Sequence, residues 1–427
     1  MLTLAVIVVG KLLFHAIFLP AYEGPDEPYH LARISVFADE SLAIALLGDV
    51  TPGEIVAAWQ ARPCSPGVAG AIGCAPYGQS GPAVFNLLRP APRKWTAPPI
   101  PNPENNQPPL FYAVAGLSLR ATETLGVPRI SPDGRLLALR ILGVALVAMG
   151  ILLLGGIART VPSGVVAAGL SVMLVPGAAE SLARCANDAP VFLWCSGLLV
   201  ALARNASTRT VATVLALGPL IKLTAIPVIV FAVIALWLRG RRGAAIAGSI
   251  ASLVVFPIQF ARGWWWGGIH ELNRPGRGVD DQPLEFLFGL LRSIYSFFKT
   301  TIWLGGWSFL RIPLPLIVLT AVCLMTWLAV LRWRRDRPLA RAYLAALAAA
   351  AAGLLAFALA NRNFFGGWGG VGGWYVWGWA PLLWIAAADL CEIDRQYRGR
   401  LFSLLGANVI VLNVAFYLIA WRAYSGA

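Results

Sequence analysis

The sequence predicts an all-α integral membrane protein that forms a single polytopic membrane domain over residues 1–427. The chain is 58% hydrophobic and 11% aromatic with a mean hydropathy of +0.70, far more apolar surface than one or two water-soluble domains can bury. Apolar stretches of about 17 to 25 residues recur along the whole length, enough for a helix to cross a hydrocarbon core of about 30 Å. A backbone inside lipid must satisfy its own hydrogen bonds, so we expect the spans to be helices.

We expect about eleven transmembrane helices. Their approximate boundaries are 3–19, 136–157, 164–182, 189–203, 210–221, 225–238, 244–260, 313–331, 342–360, 376–391 and 402–420. The net charge of +14 lies mostly in short loops such as 238–243, 331–341 and 395–400, which the positive-inside rule assigns to the cytosol. Because these clusters are dispersed among spans, they argue against nucleic-acid binding.

The largest polar insertion, residues 20–107, is predicted to be extracytosolic loop 1 and holds eight of the twenty acidic residues. Within it, residues 28–47 have the apolar spacing of a helix lying along the membrane interface. Whether the apolar run at 107–120 crosses stays open, because its short length argues against a span while neighbouring arginines favour one. Cys64 and Cys74 in this loop form either a disulfide or two free thiols. The later regions are a helical core at 136–260, a second extracytosolic loop at 261–312 and C-terminal helices at 313–427.

Three carboxylates and a histidine crowd the start of loop 1, in the segment "EGPDEPYHLAR". Pro25 and Pro28 disfavour helix before this point, so Asp26 and Glu27 should lie at a helix N-terminus, where negative charge is favoured. One carboxylate there is a candidate general base, and its neighbour with His30 could orient it or bind a cation. The alternative is helix capping at a membrane surface.

Three further segments contain candidate site residues. In "NPENNQPPLFY" paired prolines would hold Asn106 and Gln107 in a set direction where the loop meets the membrane. Asp188, in "ANDAP", lies at the boundary between two spans and is either a functional carboxylate or an N-cap. Lys222 lies between Pro219 and Pro227 at a predicted helix break, and an ionisable residue at such a break indicates a functional site.

The order and spacing of these motifs resemble the GT-C superfamily of integral membrane glycosyltransferases, which includes protein O-mannosyltransferases and lipid A aminoarabinose transferases. Closest in pattern is an uncharacterised bacterial membrane family whose first loop carries proline-aspartate-glutamate followed by histidine, here "GPDEPYH". The resemblance covers mainly residues 1–240, and a weaker similarity occurs at "GGWYVWGWAP".

The resemblance implies roles for individual residues. Asp26 would be the catalytic carboxylate, Glu27 and His30 would support it, and Asp188 would face the same outer cavity. Lys222 would neutralise a donor phosphate. Gln107 replaces the cation that relatives often carry before the paired prolines. Further substrate-binding candidates are Arg262, Arg274, Arg277, Arg362 and Tyr375. Trp374 stands where the resemblance leads us to expect an arginine before Tyr375, and Arg362 is a candidate substitute for it. The tryptophans Trp264–Trp266 are either sugar-stacking residues or interfacial anchors.

The resemblance also implies an inverting transfer of a sugar from a polyprenyl-phosphate donor to a lipid, glycan or protein acceptor on the extracytosolic face of the plasma membrane. Two alternatives stay open: a transporter or flippase of a lipid-linked saccharide, and an inactive scaffold. The carboxylates concentrate in an external loop and internal repeats are not evident, which favours the enzyme over the transporter. A divalent cation held by Asp26, Glu27 and Asp188 is a candidate cofactor.

Overall fold

The computed structural model describes the chain in segments. They are residues 2–24, 26–47, 50–62, 73–74, 97–102, 104, 107–125, 131–157, 170, 173–263, 283–302, 338–365, 372–382 and 395–425. These segments are predominantly helical, which confirms the predicted all-α class. Two short strands, β1 (Val50–Thr51) and β2 (Ile100–Pro101), pair antiparallel and join an inner segment of loop 1 to the segment near its C-terminal end.

The first half of the chain contains α1 (Leu2–Phe18), α2 (Glu27–Asp39), α3 (Leu42–Leu47), α4 (Gly53–Gln60), α5 (Leu110–Thr124), α6 (Pro132–Ile157) and α7 (Pro176–Ala183). The second half contains α8 (Asp188–Ala203), α9 (Thr208–Ile221), α10 (Ile226–Leu238), α11 (Arg242–Gly263), α12 (Pro283–Ile302), α13 (Pro338–Phe365) and α14 (Arg395–Ser425). Two 3-10 helices, Leu223–Ala225 and Gly373–Trp379, lie between α9 and α10 and between α13 and α14.

Among the described residues one helix, Pro132–Gly156, is long and apolar enough to cross a membrane. The pair Pro176–Ala183 and Asp188–Ala203 passes the same test together, with a bend of 100° between its halves. Shorter apolar helices are Leu2–Phe18, Thr208–Ile221, Leu223–Leu238, Arg242–Val255, Arg341–Ala356 and Gly406–Trp421. The predicted set of about eleven spans also includes 313–331, outside the described residues, and stays a prediction.

The described helices enclose two hydrophobic cores. The larger core lies among α1, α6, α7, α8, α9 and α10. The smaller core belongs to loop 1 and packs residues such as Leu31, Trp59 and Tyr112 around α2, α4 and α5. The turn between α7 and α8 joins the two, because Ala183 lies in the larger core and Cys185 in the smaller. The site described below lies at this junction.

The predicted helix break at Lys222 is confirmed. Helix α9 ends at Ile221, two residues after Pro219, and Lys222 adopts an extended backbone conformation. A short 3-10 turn follows before α10 begins, with Pro227 in its first turn. A proline in the first turn is favoured because its missing N–H needs no partner there. The break leaves the Lys222 side chain at the end of a helix, buried to 3% exposure.

Loop 1 is ordered around α2 and α5, which pack against each other. The predicted interfacial helix at 28–47 is present as two helices, α2 and α3. Close packing of α2 on α5 requires Gly116, because a Cβ there would lie 2.5 Å from the Phe37 Cβ and 2.7 Å from the Ile34 carbonyl oxygen. Cys74 is disulfide-bonded, while Cys64 lies outside the described residues.

Candidate functional site

Asp26 occupies the last position before α2, as the sequence predicts for a residue at a helix N-terminus. Its backbone is left-handed (φ 58°), a conformation that aspartate tolerates better than most residues and that often marks functional positions. The carboxylate makes no capping hydrogen bond with α2. Asp26 as a whole residue is partly exposed, unlike its neighbour Glu27.

Asp188 forms a buried ion triad with two cations from neighbouring segments. Lys222 Nζ donates a hydrogen bond of 2.6 Å to Asp188 Oδ1, and Arg184 Nη2 donates one of 2.7 Å to Oδ2. Arg184 lies four residues earlier, in the turn between α7 and α8, while Lys222 comes from the break after α9. All three residues are 3% exposed or less. Two positive charges against one negative make this triad net cationic.

The 3-10 helix Gly373–Trp379 covers one side of this triad. The Lys222 ammonium lies 4.9 Å from the centre of the Tyr375 ring, a cation–π distance. The approach depends on Gly378, where a Cβ would lie 2.8 Å from the Val191 Cγ1 and 3.4 Å from the Asp188 carbonyl oxygen. The predicted candidate Tyr375 therefore lies beside the predicted Lys222.

Gln107 reaches the same region from the end of loop 1. Asn187 Nδ2 donates a hydrogen bond of 3.3 Å to Gln107 Oε1 and another of 3.4 Å to the Ile221 carbonyl oxygen. The Asn187 Oδ1 atom is buried without a hydrogen-bond partner among the described residues. Gln107 and Asn187 thus connect loop 1 to the helix break that carries Lys222.

His30 lies one turn into α2 and is 4% exposed. Its Nδ1 atom shares a hydrogen bond of 2.7 Å with the Tyr112 hydroxyl of α5, and the two rings stack with centroids 5.8 Å apart. Glu104 Oε2 lies 3.7 Å from the same Nδ1 atom. The Glu104 backbone N–H donates to Asn102 Oδ1 over 2.9 Å, which fixes the position of Glu104 beside the histidine.

Burial changes the ionisation of three groups in loop 1. It raises the pKa of Asp26 above the usual value, against the opposing charges of Arg184 and Lys222. Burial also raises the pKa of Glu104 to about 8, and the negative charge of Asp26 adds to that shift. The pKa of His30 is lowered well below its usual range by burial and by the same two cations. At neutral pH, His30 is therefore uncharged and Glu104 is largely protonated.

Glu27 lies away from any exposed surface. It is 0% exposed, and both carboxylate oxygens accept hydrogen bonds from Arg140, with lengths of 2.7 and 2.6 Å. This position does not support the catalytic or metal-ligating role predicted for Glu27, because a substrate cannot reach a fully enclosed carboxylate. Asp188 is also saturated by Arg184 and Lys222, so it is better suited to positioning those cations than to accepting a proton.

The predicted cation site at Asp26, Glu27 and Asp188 is not formed. Within the described part of the chain, no group of three His, Cys, Asp or Glu side chains converges as metal ligands. The physical reason is that the Glu27 and Asp188 oxygens are each occupied by buried basic side chains. Among these three carboxylates, only Asp26 has exposed surface.

Several predicted substrate-binding residues fall outside what the structure describes. Asn106 and Arg274 lie outside the described residues, as do Arg277 and Trp264–Trp266. Arg262 lies in α11 and Arg362 in α13, but their side chains are not among those described. The phosphate contacts predicted for these arginines, and the roles predicted for Asn106 and the tryptophans, stay predictions.

Sequence reasoning assigned no site role to Arg184, Arg140 or Glu104. Each had a signal in the sequence. Arg184 lies four positions before Asp188, a spacing that favours an ion pair, and Arg140 lies within the predicted span 136–157, where a charge indicates a buried partner. Glu104 lies three positions before Gln107 in the segment that closes loop 1.

No protein-family model matches the chain, and no curated protein sequence matches it significantly. Neither result places the chain in a family.

Proposed function

We propose that the protein is a GT-C-type membrane glycosyltransferase. In this proposal it spans the plasma membrane with about eleven helices and uses a polyprenyl-phosphate-linked sugar as donor. One contrast carries the proposal. Asp26 is partly exposed, while the triad of Arg184, Asp188 and Lys222 is buried and net cationic. The triad is close enough to Asp26 for both of its cations to oppose the rise in the Asp26 pKa. A base next to fixed positive charge suits a reaction that removes a proton and expels a phosphate.

In the proposed reaction, Asp26 accepts the proton of an acceptor hydroxyl. The hydroxyl oxygen attacks the anomeric carbon of the donor sugar from the face opposite the phosphate, and a new glycosidic bond forms. The bond between the anomeric carbon and the phosphate oxygen breaks, and its electron pair leaves with the polyprenyl phosphate. The configuration at the anomeric carbon is inverted, and the proton remains on Asp26 until water removes it.

The two cations would stabilise the charge that develops on the leaving phosphate. The Lys222 ammonium has three donors and gives one of them to Asp188. Asp188 holds Lys222 and Arg184 at a fixed separation before substrate arrives. Such preorganised charge costs no rearrangement at the moment of reaction.

The raised pKa of Asp26 fits its proposed role. A carboxylate with an ordinary pKa is a weak base at neutral pH, and burial makes it a stronger one. His30 is neutral, and the Tyr112 hydroxyl fixes its ring, so it would orient a substrate or water by hydrogen bonding. Glu104 would hold a proton in the same region.

Two observations support the proposed placement of loop 1 outside the cytosol. Cys74 is disulfide-bonded, and disulfides persist in oxidising compartments. The basic clusters at 238–243, 331–341 and 395–400 favour the opposite side of the membrane for the later loops. The site would then open toward the cell envelope, where a lipid, glycan or protein acceptor is available.

The test is sugar transfer from a panel of labelled polyprenyl-phosphate sugars to total membrane acceptors, with the purified protein in lipid vesicles. We expect transfer from at least one donor by wild type and loss of that transfer in Asp26→Asn. The matched control is Glu40→Gln, the same carboxylate-to-amide change on an exposed residue directly after α2. This control should retain transfer.

Two other results would overturn the proposal. Movement of an intact lipid-linked sugar across the vesicle membrane, without cleavage of the sugar–phosphate bond, would identify a transporter. Absence of both transfer and transport with every donor would favour a scaffold. Equal transfer by wild type and Asp26→Asn would retain the enzyme but remove Asp26 as its base.

A further inference from the structure

Arg140 in α6 is completely buried, and all five of its N–H donors are engaged. Two go to Glu27: Nε donates to Oε1 over 2.7 Å and Nη2 donates to Oε2 over 2.6 Å. The remaining three go to backbone carbonyl oxygens of Ala16, Leu19 and Pro20, with lengths of 3.0, 2.7 and 2.9 Å. The guanidinium therefore binds two separate segments of the chain at the same time.

The three carbonyl groups belong to the C-terminal end of α1 and the residues just after it. The last carbonyls of a helix have no partner within the helix and carry partial negative charge, so a cation there is favourable. By binding them, Arg140 fixes the direction in which the chain leaves α1 toward Asp26. This contact sets one end of the short connection between α1 and α2.

Glu27 fixes the other end of this connection, at the start of α2, and also binds a third segment, the turn between α7 and α8. Besides binding Arg140, its Oε1 atom accepts a hydrogen bond of 2.9 Å from the backbone N–H of Cys185. Cys185 follows Arg184 in the turn that leads to Asp188. Glu27 therefore joins the segment that carries Asp26 directly to the turn that carries the cationic triad.

The fit between these segments is close. Gly24 lies between Glu27 and Arg184, and a Cβ at Gly24 would lie 3.2 Å from the Glu27 Cδ and 3.3 Å from the Arg184 Cβ. Even a methyl group would need the neighbours to move. The connection that ends at Asp26 thus packs directly on the turn that begins at Arg184.

We propose that Glu27 and Arg140 are positioning residues that set the place of Asp26 relative to the Arg184–Asp188–Lys222 triad. This inference rests on the proposed glycosyl transfer, but it concerns geometry that can be measured separately. A buried ion pair contributes little net stability compared with well-packed apolar side chains of similar volume. What the pair supplies here is fixed geometry among the end of α1, the start of α2 and the α7–α8 turn.

The first test compares three changes that keep the volume nearly constant: Arg140→Lys, Glu27→Gln and the apolar pair Glu27→Leu with Arg140→Met. We expect the apolar pair to fold, because it leaves no buried charge unpaired, but to unfold at a lower temperature than wild type, because the backbone groups that Arg140 and Glu27 bind lose their partners. We expect its kcat to fall about 100-fold, since small displacements of reacting groups cost that much, while the donor KM changes less than about 3-fold. A folded apolar pair with wild-type kcat would overturn the inference.

The second test needs no activity and works even if the proposed function is wrong. In a Cys185→Ala background, Gly24→Cys and Arg184→Cys should form a disulfide readily, because their Cβ atoms would lie 3.3 Å apart. Adding Glu27→Asp, which keeps the charge but shortens the side chain, should slow cross-linking at least about 10-fold relative to the same protein with Glu27. An unchanged cross-linking rate would overturn the positioning role, whether or not any variant transfers sugar.

Discussion

Lys222 donates a hydrogen bond of 2.6 Å to Asp188, although 34 positions separate the two residues. The bond joins the helix break after α9 to the start of α8, and both side chains are 3% exposed or less. Arg184 occupies the second oxygen of the same carboxylate. One carboxylate thus holds two cations together, which is the feature that the proposed phosphate-binding role requires.

This arrangement predicts an order of stabilities. Lys222→Met leaves Asp188 bound to Arg184, whereas Asp188→Asn removes the carboxylate that both buried cations bind. Breaking a buried pair by removing one partner typically costs about 3–5 kcal/mol, so we expect a loss of that size for Asp188→Asn and a smaller one for Lys222→Met. Thermal or chemical unfolding in detergent measures both, and the reverse order would contradict the triad.

The raised pKa of Glu104 predicts that the stability of the protein depends on pH. Its pKa is raised to about 8 from a usual value of 4.5, so the folded protein keeps a proton that the unfolded chain loses. The sign follows: stability falls as pH rises from about 4.5 to about 8, and this contribution is constant above that range. Glu104→Gln removes this pH-dependent contribution. The stability of the variant relative to wild type should therefore be higher at pH 9 than at pH 6.

Unfolding temperatures of wild type and Glu104→Gln, measured at intervals from pH 6 to 9, test this prediction. The matched control is Glu40→Gln, the same substitution on an exposed side chain of loop 1. Its curve should run parallel to that of wild type. A parallel curve for Glu104→Gln as well would show that Glu104 ionises normally.

Tyr112→Phe should destabilise the protein, because it removes the hydroxyl that bonds His30 Nδ1 over 2.7 Å. A buried polar group left without its partner costs about 1–3 kcal/mol. Tyr295→Phe is the control, since Tyr295 is 47% exposed in α12 and should change stability little. Equal unfolding temperatures for the two variants would mean that the His30 contact contributes nothing.

Gly116→Ala should disrupt the packing of α2 on α5, because its new methyl group would lie 2.5 Å from the Phe37 Cβ. Overpacking of this kind typically costs about 1–3 kcal/mol. Gly10→Ala is a matched control in α1, where an added Cβ meets nothing within 4 Å among the described atoms. Unfolding curves of the two variants should separate clearly, and coincident curves would contradict the close approach of the two helices.

The local features of the site could be predicted from the sequence. Prolines on either side of Asp26 and of Lys222 restrict the backbone at those positions, and the structure has a helix start at one and a helix break at the other. These signals act over a few residues, so one sequence suffices to find them. The helical class follows in the same way from composition.

The partners of the charged residues could not be predicted. Glu27 and Arg140 are 113 positions apart, and their contact depends on how α2, α6 and the end of α1 pack in three dimensions. The two adjacent acids Asp26 and Glu27 look equivalent in sequence, yet one is partly exposed and the other fully enclosed. In the proposed reaction, tertiary packing therefore decides which of the two acids acts as the base.

The most direct measurement for the proposed reaction is the rate of sugar transfer at saturating donor by wild type, Asp26→Asn and Glu40→Gln, in parallel vesicle preparations. General-base catalysis typically contributes about 100- to 10,000-fold, so we expect Asp26→Asn to be slower by that factor while Glu40→Gln transfers at the wild-type rate. A rate for Asp26→Asn equal to that of wild type would contradict the assignment of Asp26 as the base.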